Sequence, residues 1–252
     1  MKKAITLYAI LLALLPLSLN AQSRTIWTNN EVTHESIVSQ HGWAPTAYKS
    51  MSLDLNAMKG ILLTAPHFQA AGAVPVTVEL PMPDGSFESF SILEIPVMHP
   101  DLQKKFPGMR TFGGNGIEHP LWSVRCDYTQ FGFHGYVATE KGTVIIDPLS
   151  LNNTNDYLVY YKHLSGKHPM MICELADENI RESVTKVVQN NTANRSTTNT
   201  LRTYRLAMAA TGEYTAFYGG TVAGGMAGIV TSVNRVDGIY MREVDVHFVL
   251  VP

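Results

Sequence analysis

The chain has 252 residues and a formal net charge of −2 at pH 7, with 19 Lys and Arg set against 21 Asp and Glu. No basic stripe stands out, which argues against nucleic acid as a partner. The 2 cysteines, Cys126 and Cys173, are too few for a disulfide framework, so the fold must rest on a hydrophobic core.

Met1-Lys2-Lys3 is a short positive start, and Ala4 to Leu19 is an almost unbroken apolar run ending at Leu19-Asn20-Ala21. That is the layout of a secretory signal peptide, 1–21, with cleavage expected after Ala21. As a spanning helix the run falls short of the ~20 apolar residues needed, and Pro16 sits inside it. No stable membrane anchor is expected. The mature chain is placed outside the inner membrane: secreted, periplasmic or at the cell surface.

Residues 22–188 read as one β-rich domain. Val74 to Leu80 alternates, with Val76, Val78 and Leu80 on one face. Pro81-Met82-Pro83-Asp84-Gly85 signals a turn. Ser86 to Met98 returns as a strand, with Phe90 and Ile92 on one face and Leu93, Ile95 and Val97 following a bulge. Together they form a hairpin with a five-residue connection. Asp101 to Phe106 predicts one or two helical turns capped by Asp101. Phe112-Gly113-Gly114-Asn115-Gly116 is expected to be a loop, since glycines destabilise either regular element. Cys126, in Ser123-Val124-Arg125-Cys126-Asp127-Tyr128, alternates like an inward-facing strand residue. Tyr136 to Ala138 and Thr143 to Ile146 flank Glu140-Lys141-Gly142 as a second hairpin, and Tyr157 to Tyr161 is a further strand. Asp177 to Val188 changes to helical period, with Ile180, Val184, Val187 and Val188 on one face and Asp177 as cap.

Residues 189–200, Gln-Asn-Asn-Thr-Ala-Asn-Arg-Ser-Thr-Thr-Asn-Thr, hold one apolar side chain, Ala193. Such a stretch cannot bury a face and reads as an exposed polar linker. The pattern then turns to α/β. Tyr204, Leu206 and Met208 alternate in a strand, Gly219-Gly220 breaks the chain, and Thr221 caps a long amphipathic helix. Its apolar positions are Val222, Met226, Ile229, Val230, Val233, Val236 and Ile239. Gly224, Gly225 and Gly228 weaken this helix but let another backbone pack close. Val244, Val246, Phe248 and Leu250 form a second strand. The sum is a βαβ unit, 201–252, too small to be a domain alone, and the pattern is expected to continue past Pro252.

Candidate chemistry is sparse. His34-Glu35 with His41 spaces its histidines seven apart, too far to share a small ion, and reads as surface polarity near the N-terminus. His163, His168 and Cys173 match no standard zinc spacing. Asp147-Pro148 reads as a strand-end turn. Gly113-Gly114-Asn115-Gly116 neither follows a clear strand nor opens a helix, and so fails as a dinucleotide loop.

Leu201 to Val251 resembles the start of a reprolysin-type (adamalysin, metzincin) catalytic domain of the secreted bacterial branch. The resemblance is carried by Tyr204-Arg205-Leu206, Ala210-Thr211-Gly212-Glu213-Tyr214-Thr215, Gly219-Gly220, Asn234-Arg235-Val236 and Gly238-Ile239-Tyr240. Upstream, Phe106-Pro107-Gly108, Thr111-Phe112-Gly113-Gly114, Phe131-Gly132-Phe133-His134 and Ile146-Asp147-Pro148 are similar to that family's propeptide. The resemblance implies a β-rich propeptide followed by a truncated βαβ start of a zinc endopeptidase. In the full-length enzyme it implies zinc, the remaining catalytic domain as partner, and protein or peptide substrates. HExxH, which supplies two zinc histidines and a catalytic glutamate, occurs nowhere in the chain. The chain alone is therefore expected to bind no zinc and to be inactive. Within that frame Cys173 has three readings: a thiolate that silences zinc, a disulfide partner of Cys126, or a buried thiol. Glu213 reads as a helix-capping or solvent-paired carboxylate ahead of a substrate contact. Asn234 and Arg235 are expected to tie the long helix to parts that are missing. The competing function is a stand-alone exported β-rich binding or protease-inhibitor module.

Overall fold

The computed structural model describes residues 26–166 and 200–252. The signal segment, the helical pattern at 177–188, almost all of the polar linker, His168 and Cys173 lie outside the described residues.

Nine strands form one antiparallel sheet: β1 (Trp27–Asn29), β2 (Lys49–Leu53), β3 (Val76–Pro81), β4 (Phe87–Glu94), β5 (Arg110–Gly116), β6 (Ser123–Thr129), β7 (Gly132–Thr139), β8 (Gly142–Ser150) and β9 (Asn153–Tyr161). Their order is β1-β2-β9-β8-β7-β6-β5-β4-β3. The sheet curls until its two edges meet, where the Trp27 indole N–H donates to the Glu79 carbonyl at 3.1 Å. The result is a nearly closed barrel. Alternation sorts its side chains: Val124, Cys126 and Tyr128 of β6, and Val144 and Ile146 of β8, join the interior cluster with Phe90 and Phe112. Ile145 and Leu149 of β8 face outward instead and are covered by Ile37.

Ile37 belongs to α1 (His34–His41), capped by Thr33, whose hydroxyl accepts from Ser36 N–H at 3.2 Å. Helix α2 (Leu55–Leu62) is capped by Asp54 and delivers Met58 and Leu62 to the barrel interior. Helix α3 (Pro100–Lys105) follows β4. Its cap is His99, whose Nδ1 accepts from Asp101 N–H at 3.3 Å. Asp101 does not cap it, because Pro100 already occupies the first helical turn, where a missing N–H costs nothing.

The β3–β4 hairpin forms as expected around Gly85, at φ 87. Its second strand ends earlier, at Glu94, and Val97 leaves the barrel for another cluster. The glycine-rich stretch at 112–116 is not a loop but part of β5. A Cβ on Gly114 would lie 1.8 Å from the Ser91 carbonyl oxygen, so glycine here serves close approach between neighbouring strands. Asp147 and Pro148 lie inside β8 and not at a strand end.

Residues 200–252 form β10 (Arg202–Leu206), α4 (Gly212–Phe217), α5 (Val222–Val244) and β11 (Val246–Leu250), with β10 and β11 paired in parallel. Thr221 caps α5, accepting from Gly224 N–H at 3.0 Å. The missing side chains at Gly224 and Gly228 admit the Tyr218 carbonyl and the Tyr218 ring. Ile229, Val230 and Val233 are buried, but Val222 and Val236 are exposed. The buried stripe of α5 instead includes Asn234 and Asp237, each 0% exposed.

Candidate functional site

Helix α5 lies across the outer face of β6. The residues of β6 that alternate with the interior set are Arg125, Asp127 and Thr129, all buried. Burying charge is costly unless each charge finds a partner, and α5 supplies the partners.

Arg125 Nη2 donates to Asp237 Oδ2 at 2.6 Å. Asp237 also accepts the Phe248 N–H at 2.6 Å and stands 3.0 Å from His247 Nδ1. One carboxylate thus joins β6 of the barrel, α5 and β11. Burial pulls the Arg125 guanidinium below its ordinary pKa, and Asp237 works against that shift. Space for the arginine comes from two glycines. A Cβ on Gly113 would lie 2.9 Å from Arg125 Cδ, and one on Gly238 would lie 2.4 Å from Arg125 Cγ. The Phe68 ring meets the His247 ring edge-on, with centroids 5.6 Å apart.

A second carboxylate, Asp127, repeats the pattern one step along β6. Its Oδ1 accepts from Thr231 Oγ1 at 2.8 Å and lies 3.0 Å from His134 Nδ1. Asn234 Nδ2 donates to the Cys126 carbonyl at 3.0 Å and reaches Asp127 Oδ2 at 3.4 Å. Arg235 forms an ion pair with Asp147 of β8. Burial lowers the Arg235 pKa, but Asp147, Asp127 and the neighbouring Tyr160 outweigh it, so the group sits above its ordinary value. Between the helices and β8–β9 a cavity of about 550 Å³ is lined by Trp43, Phe131, Tyr160 and Tyr218, with His134 and the Asp147–Arg235 pair in its wall.

Asn234 and Arg235 therefore tie the helix to the barrel, which is present, and not to missing parts. The cause is spacing: Thr231, Asn234 and Asp237 recur every three residues and put one polar stripe against β6. That stripe, and the Arg125-x-Asp127 alternation, were the signals by which Asp127, Asp237 and His247 could have been picked out. Thr211 caps α4, its hydroxyl accepting from Tyr214 N–H at 3.2 Å, and Glu213 lies in the first turn without capping it. The Glu213 N–H and the Thr211 hydroxyl hold the exposed carboxylate below its ordinary pKa. His34 and His41 begin and end α1, and His34 is exposed. His163 sits in the short turn of 3-10 helix, Lys162–Leu164. Cys126 is buried and forms no disulfide among the described residues, and burial pushes its thiol pKa well above the ordinary range. Among the described residues no group of three or more His, Cys, Asp and Glu is placed to hold a metal ion, so no zinc step is assigned to them. No helix among them is long and apolar enough to cross a membrane.

What the arrangement does is hold one unit against another through charges hidden from water. Neither curated proteins nor solved structures give a match to the chain. Residues 200–252 match the family model described as metallo-peptidase family M12B, reprolysin-like. The unit of β10, α4, α5 and β11 docked on the barrel is thus the part of the chain that is similar to reprolysin-like metallopeptidases.

Proposed function

We propose that the chain is the front part of a secreted zinc metalloendopeptidase precursor. Residues 22–188 act as propeptide, 189–200 as the joining linker, and 201–252 as the opening βαβ of the catalytic domain. The observation that supports this reading is the shared burial of Asp237, which has partners from both the barrel and the reprolysin-like unit. Two independent modules on one chain ordinarily meet through smaller, more polar and more mobile contacts. A propeptide that guides the folding of its enzyme needs a buried, specific contact with it.

Latency in this reading comes from two sources. The barrel holds α5 and β11 in place, and Cys173 would supply a thiolate ligand to the zinc of the complete enzyme. Residues 22–252 alone hydrolyse no peptide, with or without added zinc, because the HExxH ligands are not in them.

The test is the coding sequence past codon 252. An in-frame HExxHxxGxxH is expected, and Cys173→Ala in the protein so encoded should raise basal peptidase activity. A stop codon directly after Pro252 would overturn the precursor reading.

A further inference from the structure

We propose that the barrel is a separable clamp: once the chain is cut between Gly166 and Thr200, residues 26–166 stay bound to residues 200–252, with Val97–His99 seated as an added strand on β11. The proposal shares its interface with the precursor reading, but it does not depend on peptidase activity.

Strand β11 is hydrogen-bonded on both sides. On one side lies β10, in register from Arg202 and Val246 to Leu206 and Leu250. On the other lies the stretch of barrel chain between β4 and α3. Leu250 N–H donates to the Val97 carbonyl at 2.7 Å, and His99 N–H donates to the Leu250 carbonyl at 2.8 Å. Met98 and Leu250 form a parallel bridge. An open strand edge is a template for pairing, and a short extended segment that fills it is the pattern of strand addition between separate chains. The barrel thus caps one edge of the reprolysin-like sheet.

Side chains make the same contact dry. Val97, Met98 and Leu102 from the barrel side share one buried cluster with Val230, Val233 and Leu250. The charged part of the interface adds direction. Arg125 lies between Gly113 of the barrel and Gly238 of α5, and it ends on Asp237. Backbone pairing, an apolar cluster and a buried ion pair are the ingredients that hold stable complexes of separate chains together. All of these contacts run between 26–166 and 200–252. Cutting the connecting stretch removes the tether and none of them. A processing cut would then leave a nicked complex, and release would need a second event, such as digestion of the barrel.

The experiment uses the whole mature chain with a recognition site for a sequence-specific protease placed in 189–200. After complete cutting, the two fragments are expected to co-elute on gel filtration at submicromolar concentration. In the nicked complex the Leu250 amide should stay protected from hydrogen exchange. His99→Pro removes the N–H given to the Leu250 carbonyl, and His99, at φ −57, already has a backbone that proline can adopt. That variant, cut in the same way, should dissociate at least tenfold more readily. Wild-type fragments that separate at once would overturn the clamp. Fragments that co-elute with a rapidly exchanging Leu250 amide would overturn the strand addition, and neither measurement requires a variant to fold. Because association is read without activity, a gene lacking HExxH would sink the precursor reading and leave the clamp standing.

Discussion

At the scale of single residues, the interface is asymmetric. Remove Arg125 and the Asp237 carboxylate still has the Phe248 N–H and His247. Remove the charge of Asp237 and Arg125 keeps a buried guanidinium whose Nη1 already has no partner. An unpaired buried charge costs about 3–5 kcal/mol. Asp237→Asn should therefore lose about that much in urea unfolding, and Arg125→Met should lose less, on the order of 1–3 kcal/mol. Equal losses would mean that the two sides depend on the pair alike. Tyr157, 0% exposed, is a second point of sensitivity. Its hydroxyl donates to the Thr154 carbonyl and accepts the Phe133 N–H. Burial pushes its pKa up to about 12, with Asp147 adding to the shift and the Phe133 N–H opposing it. The unfolded chain releases this proton near the ordinary value of 10. Stability is thus intact below about pH 10 and falls as pH rises toward about 12, because the unfolded state ionises first. Tyr157→Phe should flatten that alkaline loss, while costing about 1–3 kcal/mol at neutral pH through the unpaired Phe133 N–H. Denaturant midpoints measured from pH 8 to 12 would show both effects.

At the scale of elements, the same substitution reads oppositely in two helices. Gly60 sits in α2 with open space around it, so Gly60→Ala should stabilise by about 0.5–1 kcal/mol through helix propensity. Gly238 sits in α5 against the Arg125 side chain, 2.4 Å from where a Cβ would fall. Gly238→Ala should cost about 1–3 kcal/mol by overpacking, since the ion pair pins the arginine in place. Thermal melts of the two variants should shift in opposite directions. A shift of the same sign would mean that the arginine slot yields. This contrast marks how much a sequence can tell. Periodicity located α5 and the β3–β4 hairpin, because Val230 and Val233, or Val78 and Leu80, report a face directly. It could not tell why Gly113 and Gly114 are glycines. Their composition predicted a loop, whereas the constraint is a neighbouring strand distant in sequence. Asn234 was visible as a polar residue in an apolar helix. Its partner, the Cys126 carbonyl, comes from a strand 108 positions earlier and leaves no local trace.

At the scale of the whole molecule, the barrel and the reprolysin-like unit should unfold together. By its size the βαβ unit of 201–252 is too small to be a domain alone, and the exposed Tyr204, Phe217, Val222 and Tyr240 fit an open outer side. The inner side is not loose: Val230, Asn234 and Asp237 are as buried as the interior of the barrel. That docking was not readable in the sequence, because it depends on the sheet curling until Trp27 meets Glu79, which sets the curved outer face on which α5 lies. Two probes separate the parts. All 3 tryptophans, Trp27, Trp43 and Trp122, lie in the barrel region. Among the described residues, helical signal at 222 nm comes chiefly from α5, with 23 residues against 8 in the next longest helices. If the buried network couples the two parts, fluorescence and circular dichroism should trace one coincident urea transition in the wild-type chain. Asp237→Asn should split them, with the 222 nm signal lost first, since α5 then keeps its apolar contacts but faces an unpaired Arg125. A wild-type helical signal that melts well ahead of the tryptophans would show instead that the barrel stands alone and that the reprolysin-like unit only rests on it.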